Sequence, residues 1–318
     1  MKPTRKSLIA AAIVLTASLA VLFLLSEGKK KHKTEVFAMD TYMQITAYGR
    51  YGDEAIQKAV EEIKRLEDEL AASVINTDSG VALTCDGEYL LKRSMELKDM
   101  TEGAFDITIY PLVKAWGFPD KNYRVPTEDE IQNLLQNKNT DLRYDFGGIA
   151  KGYASDKVAK LMRECGVKSA ILNLGGNVMT IGKKSDGSSW KVAIKSPDAS
   201  MENLGVLSVC DKAVITSGGY ERCFEADGKS YHHIINPKTG YPAESGLVSV
   251  TIVSSDATLA DALSTALFVM GKDNAIAFWR KYADDFDFVL YDNKGELYVS
   301  EGIADSYLAA MEYEVVKR

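Results

Sequence analysis

The chain has 318 residues, with 38 Lys plus Arg against 45 Asp plus Glu, and a formal net charge of −7. Residues 1–33 hold seven of the basic residues and one of the acidic ones, so the remainder sets 31 basic against 44 acidic residues, a net −13. That balance argues against nucleic-acid binding, which needs a basic footprint, and four cysteines without CxxC or zinc spacing do not make a disulfide scaffold in a chain of this size.

A short basic tail, 1–6, precedes the uncharged run Ser7–Ser26. Twenty helical residues span about 30 Å, the thickness of one hydrocarbon core. We read this run as a membrane anchor, with a cleavable signal as the alternative because Ser18-Leu19-Ala20 offers small residues at suitable offsets. A basic stem, 27–35, follows, and the folded domain is expected over 36–318, outside the cytoplasm. Val36–Tyr48 alternates as extended chain and bends at Met39-Asp40-Thr41. Ile56, Val60, Ile63, Leu66 and Leu70 recur at helical spacing. A loop through Asn76–Gly80 leads to a helix over Tyr89–Met100, ended by Gly103.

The aromatic stretch Gly103–Phe118 is either core or the wall of a pocket for a planar ligand. Pro126-Thr127 with Glu130 has the form of a capping box. Asp145–Ala154 runs from extended chain through Gly147-Gly148 into a helix; such a turn gathers backbone amides and a helix start, and Lys151 adds positive charge. It matches neither GxGxxG nor the phosphate loop GxxxxGK[ST]. Glycine pairs recur at Gly175-Gly176 and Gly218-Gly219, each after an apolar strand. His232 and His233 precede the turn residues Asn236-Pro237 and Thr239-Gly240. Further strands are expected at Val248–Val253 and Phe286–Tyr291, and a helix near Asn274–Tyr282. Strands and helices mix without strict alternation, so the fold class is α+β.

Ser254–Gly271, SSDATLADALSTALFVMG, reads as a helix with almost no polar face, yet it carries Asp261 with Thr265 one turn later. Two readings are open at this point. The pair can supply oxygen ligands to a hard ion such as Mg²⁺, or Asp261 can cap a neighbouring loop while Thr265 bonds back to the Asp261 carbonyl.

In order along the chain, MDTYMQI, GAFDITIYPLVKAWGF, DFGGIAKGYASD, LNLGGN, TSGGYER, HHIINPKTG and DATLADALSTALFVMG resemble the ApbE-type flavin transferases over nearly all of residues 36–300. The resemblance implies an interleaved two-lobed, T-fold-like α+β domain with FAD in its cleft. It implies an exported, membrane-tethered enzyme that transfers FMN from FAD to a threonine hydroxyl of an acceptor protein and releases AMP. The acceptor would be an exported redox subunit with a Ser/Thr-rich motif. The same resemblance implies Mg²⁺ ligands at Asp261 and Thr265 and, by position, the carbonyl of Gly148, with Ala150 as the alternative. FAD contacts are implied at Met39, Ala104, Phe105, Asp106, Asp145, Lys151 and Ile235, and His233 is the candidate to take or orient the threonine proton. Ser73-Val74-Ile75 stands where many relatives have an aromatic residue that packs on the flavin. Two other activities fit the same motifs: an Mg²⁺-dependent FAD pyrophosphatase, and a non-catalytic surface module that keeps its FAD.

Overall fold

A computed structural model describes residues 30–70, 74–76, 83–137 and 143–318, with only the backbone for 74–76. Ser7–Ser26, Ser73 and the loop after Asn76 lie outside the described residues. Among the described residues, no helix is long and apolar enough to cross a membrane.

The first strands are β1 (Lys31–Ala38), β2 (Thr41–Tyr48), β3 (Val74–Asn76), β4 (Arg143–Asp145), β5 (Ala170–Leu174) and β6 (Asn177–Ile181). Next come β7 (Trp190–Lys195), β8 (Asn203–Val209), β9 (Ala213–Gly218), β10 (Cys223–Ala226) and β11 (Lys229–His232). The last are β12 (Leu247–Ser254), β13 (Phe286–Asp292), β14 (Leu297–Ser300), β15 (Tyr307–Ala309) and β16 (Glu314–Val316). The helices are α1 (Gly52–Leu70), α2 (Cys85–Met100), α3 (Tyr110–Ala115) and α4 (Glu128–Asn137), then α5 (Ala150–Glu164), α6 (Ala257–Met270), α7 (Lys272–Lys281) and α8 (Glu301–Ala304).

The largest sheet among the described residues has the order β1-β2-β5-β6-β9-β12-β13-β14-β16. It is antiparallel except at β14 with β16. Successive side chains on a strand point to opposite faces, and here both faces are covered. Ile215, Ile252, Phe288 and Leu290 join the core with α1, α5 and α6, whereas Val214, Val253, Val289 and Tyr291 join a second core under the small sheet β15-β8-β7. This explains why β12 is buried at seven of its eight positions. A third apolar cluster gathers Leu112, Trp116, Phe118, Ile131 and Ile235, pinned by Trp116 Nε1 donating to the Gly240 carbonyl at 2.8 Å.

Several expected elements shift at their ends. β1 begins at Lys31, inside the expected basic stem, because Lys31, Lys33, Glu35 and Phe37 all face solvent on an edge strand while His32, Thr34 and Val36 turn inward. The His32 ring packs on Gly52 at the start of α1, where a Cβ would lie 2.6 Å from its Cδ2. α2 starts at Cys85 rather than Tyr89, since the Thr84 hydroxyl accepts from Gly87 N at 3.1 Å. The Thr127 hydroxyl likewise accepts from Glu130 N, one half of the expected capping box, while the Glu130 carboxylate pairs with Arg124 rather than reaching back. The Met39-Asp40 bend is a two-residue hairpin turn joining β1 and β2, with φ of 49° and 57°. All four cysteines are free.

The start of α6 is held from two sides. Asp256 caps it by accepting from Leu259 N at 2.8 Å, and Asp156 of α5 accepts from Ala257 N, Thr258 N and the Thr258 hydroxyl at 3.0, 2.8 and 2.6 Å. Asp156→Ala strands three donors, so it is expected to lower stability by about 1–3 kcal/mol. A fall in the urea midpoint at unchanged slope would measure this.

Candidate active site

α6 is buried along its whole length except at Thr265, Val269 and Met270. Asp261 is 5 % exposed. Its Oδ2 accepts from Gly152 N at 2.8 Å, and among the described residues no Lys, Arg or His lies within ion-pair distance of it. A buried carboxylate with one hydrogen bond and no counter-ion is costly unless a cation completes it. The Asp261 carbonyl is taken by Ser264 Oγ at 2.7 Å. Thr265 does not make that back-bond; its hydroxyl faces across to Ser217 Oγ at 3.4 Å.

The glycine loop meets this helix directly. Gly152 has no room for a side chain: a Cβ would fall 2.2 Å from the Ala257 carbonyl oxygen and 2.6 Å from Asp261 Cβ. At Gly148 a Cβ would lie 3.6 Å from Thr265 Oγ1 and 3.3 Å from Phe105 Cε2, so Gly148, Thr265 and Phe105 converge. Asp145 Oδ1 accepts from Gly147 N at 2.7 Å and fixes the loop's entry. No side chain caps the start of α5 at Ile149. Gly148 N and Lys151 N find no acceptor among the described residues. Uncapped amides at a helix start are donors for an anion.

Around them stand ionisable groups that the surrounding protein desolvates although they keep contact with solvent: Asp145 and His233 are half-buried and Glu221 is exposed. Burial pushes the Asp145 carboxyl up, against the lowering by Gly147 N–H, Arg222 and Lys151. Burial also raises Glu221, which faces Lys151, Arg222, Lys195 and the Asp261 charge. Burial, and next the Arg222 charge, hold His233 down at about 4. Its Nδ1 lies 3.2 Å from the Arg222 carbonyl, which can only accept. The proton of the neutral ring therefore sits on Nδ1, and Nε2 is left as an acceptor. His232 is different. Its Nδ1 accepts from Ile234 N, its Nε2 donates to the Ala243 carbonyl, and its ring stands edge-on to Phe268 of α6, so it is a structural bond-maker.

The structure thus brings Gly148, Asp261, Thr265, Phe105, Asp145 and Lys151 together, and His233 stands near enough to feel the Lys151 charge. Other expected residues sit differently. The Asp106 carboxylate is buried and engaged by Thr108 N, Thr108 Oγ1 and Lys98. Ala104 is buried beside Phe105, and Ile235 belongs to the aromatic cluster of Trp116 and Phe118. Met39 is tied to α1, its N–H donating to Glu67 Oε1 at 2.6 Å. A bulky residue at positive φ is uncommon and is held there by its surroundings. Sequence reading missed Ser217, Ser264, Glu221, Arg222 and Asp156. It also missed the Asp86 hub, where Arg65, Lys157 and the Tyr153 hydroxyl fasten α1, α2 and α5 together. The TSGGYER stretch held the signal for three of these.

Residues 39–290 match the model of the ApbE family. The chain belongs to the ApbE family. It is 32 % identical over 277 residues to the FAD:protein FMN transferase of Klebsiella pneumoniae, covering 78 % of this chain and 85 % of that protein. A FAD:protein FMN transferase of Treponema pallidum is 29 % identical over 322 residues, covering 87 % and 88 %. Among solved structures, the ApbE protein of Thermotoga maritima superimposes with a TM-score of 0.77 at 29 % identity, over 87 % of this chain and 99 % of its own. The flavin transferase ApbE of Vibrio cholerae gives 0.75 at 25 % identity, with the same coverage. The ApbE fold is the α+β arrangement described above.

Proposed function

We propose that this ApbE-family chain is an FAD:protein FMN transferase that esterifies FMN to a threonine hydroxyl of an acceptor protein and releases AMP. The observation that carries the reading is the buried Asp261 carboxylate, one oxygen held by Gly152 N–H and, among the described residues, no cation within ion-pair distance, beside Thr265 and the uncapped start of α5. Asp261, Thr265 and the Gly148 carbonyl form an all-oxygen donor set that suits Mg²⁺. When bound there, Mg²⁺ neutralises the diphosphate of FAD and the charge developing on AMP. The Gly148 and Lys151 amides and the Lys151 ammonium hold the diphosphate. Phe105, Met39, Ala104, Asp106, Asp145 and Ile235 shape the FAD cleft between two interleaved lobes.

The acceptor threonine oxygen bonds to the phosphorus of the FMN half, the bond from that phosphorus to the bridging oxygen breaks, and AMP leaves with that oxygen. His233 Nε2 receives or orients the threonine proton while Nδ1–H stays on the Arg222 carbonyl. Ser7–Ser26 anchors the enzyme in the membrane with its catalytic domain outside the cytoplasm, where an exported redox subunit with a Ser/Thr-rich segment is the acceptor.

The test is incubation with FAD, Mg²⁺ and such an acceptor, read by intact mass. A metal-dependent FMN adduct on the acceptor supports transfer; free FMN with an unmodified acceptor points to hydrolysis, and intact FAD to a binding module. His233 gives a second check. Because its folded pKa of about 4 lies below the unfolded value near 6.5, the unfolded chain takes up the proton first. Its contribution to stability is complete above about pH 6.5 and is lost as pH falls toward 4. In the FAD-free protein, the His233 ring resonance is expected to stay in its neutral position at pH 5.5, and a midpoint near 6.5 would contradict its desolvated placement beside Arg222.

A further inference from the structure

Three hydroxyls, two on α6 and one on β9, form a chain whose direction is fixed at one end. Ser264 Oγ is 2.7 Å from the Asp261 carbonyl, and a carbonyl only accepts, so the Ser264 proton points there. Ser217 Oγ lies 2.7 Å from Ser264 Oγ, whose single proton is already used, so Ser217 donates to Ser264. Ser217 Oγ also lies 3.4 Å from Thr265 Oγ1, and having given up its own proton it can only accept from Thr265. The Thr265 proton is thereby directed at β9, and its lone pairs are left for the side that carries Gly148 and Asp261.

The arrangement also selects a rotamer. A helical threonine divides between two χ1 wells because its hydroxyl can bond back to a carbonyl three or four residues earlier. Here Ser264 bonds the Asp261 carbonyl, and Ser217, reaching in from β9 where it pairs with Val250, offers Thr265 a partner on the other side.

We infer that Ser217 is a positioning residue: together with Ser264 it directs the Thr265 hydroxyl so that its lone pairs face a divalent cation. The inference rests on the metal reading proposed above, and the experiment separates the two. Mn²⁺, a hard divalent probe for the Mg²⁺ site, is titrated by electron paramagnetic resonance into the FAD-free full chain and into Ser217→Ala, Ser217→Thr, Thr265→Ala and the double variant Ser217→Ala/Thr265→Ala, with thermal melts to confirm folding. Ser217→Ala is expected to weaken Mn²⁺ binding about three- to tenfold, the scale of one hydrogen bond, and Ser217→Thr, which keeps the hydroxyl, to restore it. In the Thr265→Ala background, Ser217→Ala is expected to add nothing, because it acts only through Thr265. Unchanged binding in Ser217→Ala, or an equal loss in both backgrounds, overturns the positioning role while leaving the metal site intact. Parent-like Mn²⁺ binding by Thr265→Ala overturns the metal reading itself.

Discussion

Asp261→Asn is expected to reduce metal-dependent FMN transfer by roughly a thousandfold or more while leaving the fold in place. The amide is nearly isosteric with the carboxylate, and its oxygen can still accept from Gly152 N, so the contact between α5 and α6 survives. Its NH₂ group then takes the place of the free carboxylate oxygen, and a donor cannot ligate a cation. Removing a buried, uncompensated charge relieves a desolvation cost, so the metal-free variant should melt at least as high as the parent. The upward shift in melting temperature that Mg²⁺ gives the parent should vanish, since that shift reports binding to the folded state. A variant that keeps both the shift and the activity would remove Asp261 from the site.

Gly152→Ala is expected to be damaging for a different reason. The new Cβ would meet the Ala257 carbonyl oxygen at 2.2 Å, its carbon at 2.9 Å and Asp261 Cβ at 2.6 Å. Two of these are backbone atoms of α6, held in turn by Asp156 and Asp256, so no flexible side chain can yield. The helices must separate, at a cost of about 3 kcal/mol by analogy with overpacked cores. The Gly152 N–H moves away from Asp261 as they do so. Denaturant unfolding and Mn²⁺ affinity should therefore fall together. Loss of stability with parent-like metal binding would show that the helix contact and the site are independent.

Much of the site was legible as residue types on local elements. The oxygen pair Asp261 and Thr265 one turn apart follows from helical periodicity, as does the burial of α6, which the structure bears out. The bend at Met39-Asp40 and the capping threonine at 127 are also local, because a turn or a cap involves atoms only a few residues apart. The order of motifs was enough to suggest the family. Element ends were less legible: β1 reaches back to Lys31 because an edge strand tolerates an outward row of charges that reads in isolation as a solvated stem.

What the sequence by itself determined, then, is which groups are available and on which helix, strand or turn each one sits. What only the tertiary structure decided is which of them meet. Gly152 and Asp261 are 109 residues apart, Ser217 and Thr265 are 48 apart, and Asp156 reaches Thr258 across 102. The difference between His232, with both ring nitrogens engaged by nearby backbone, and His233, bonded through Nδ1 to the Arg222 carbonyl and surrounded by the Arg222 and Lys151 charges, arises in the same way. Periodicity and turn chemistry act over a few residues, whereas a site assembled by packing one helix on another depends on the sheet order and on a single glycine that lets two backbones approach.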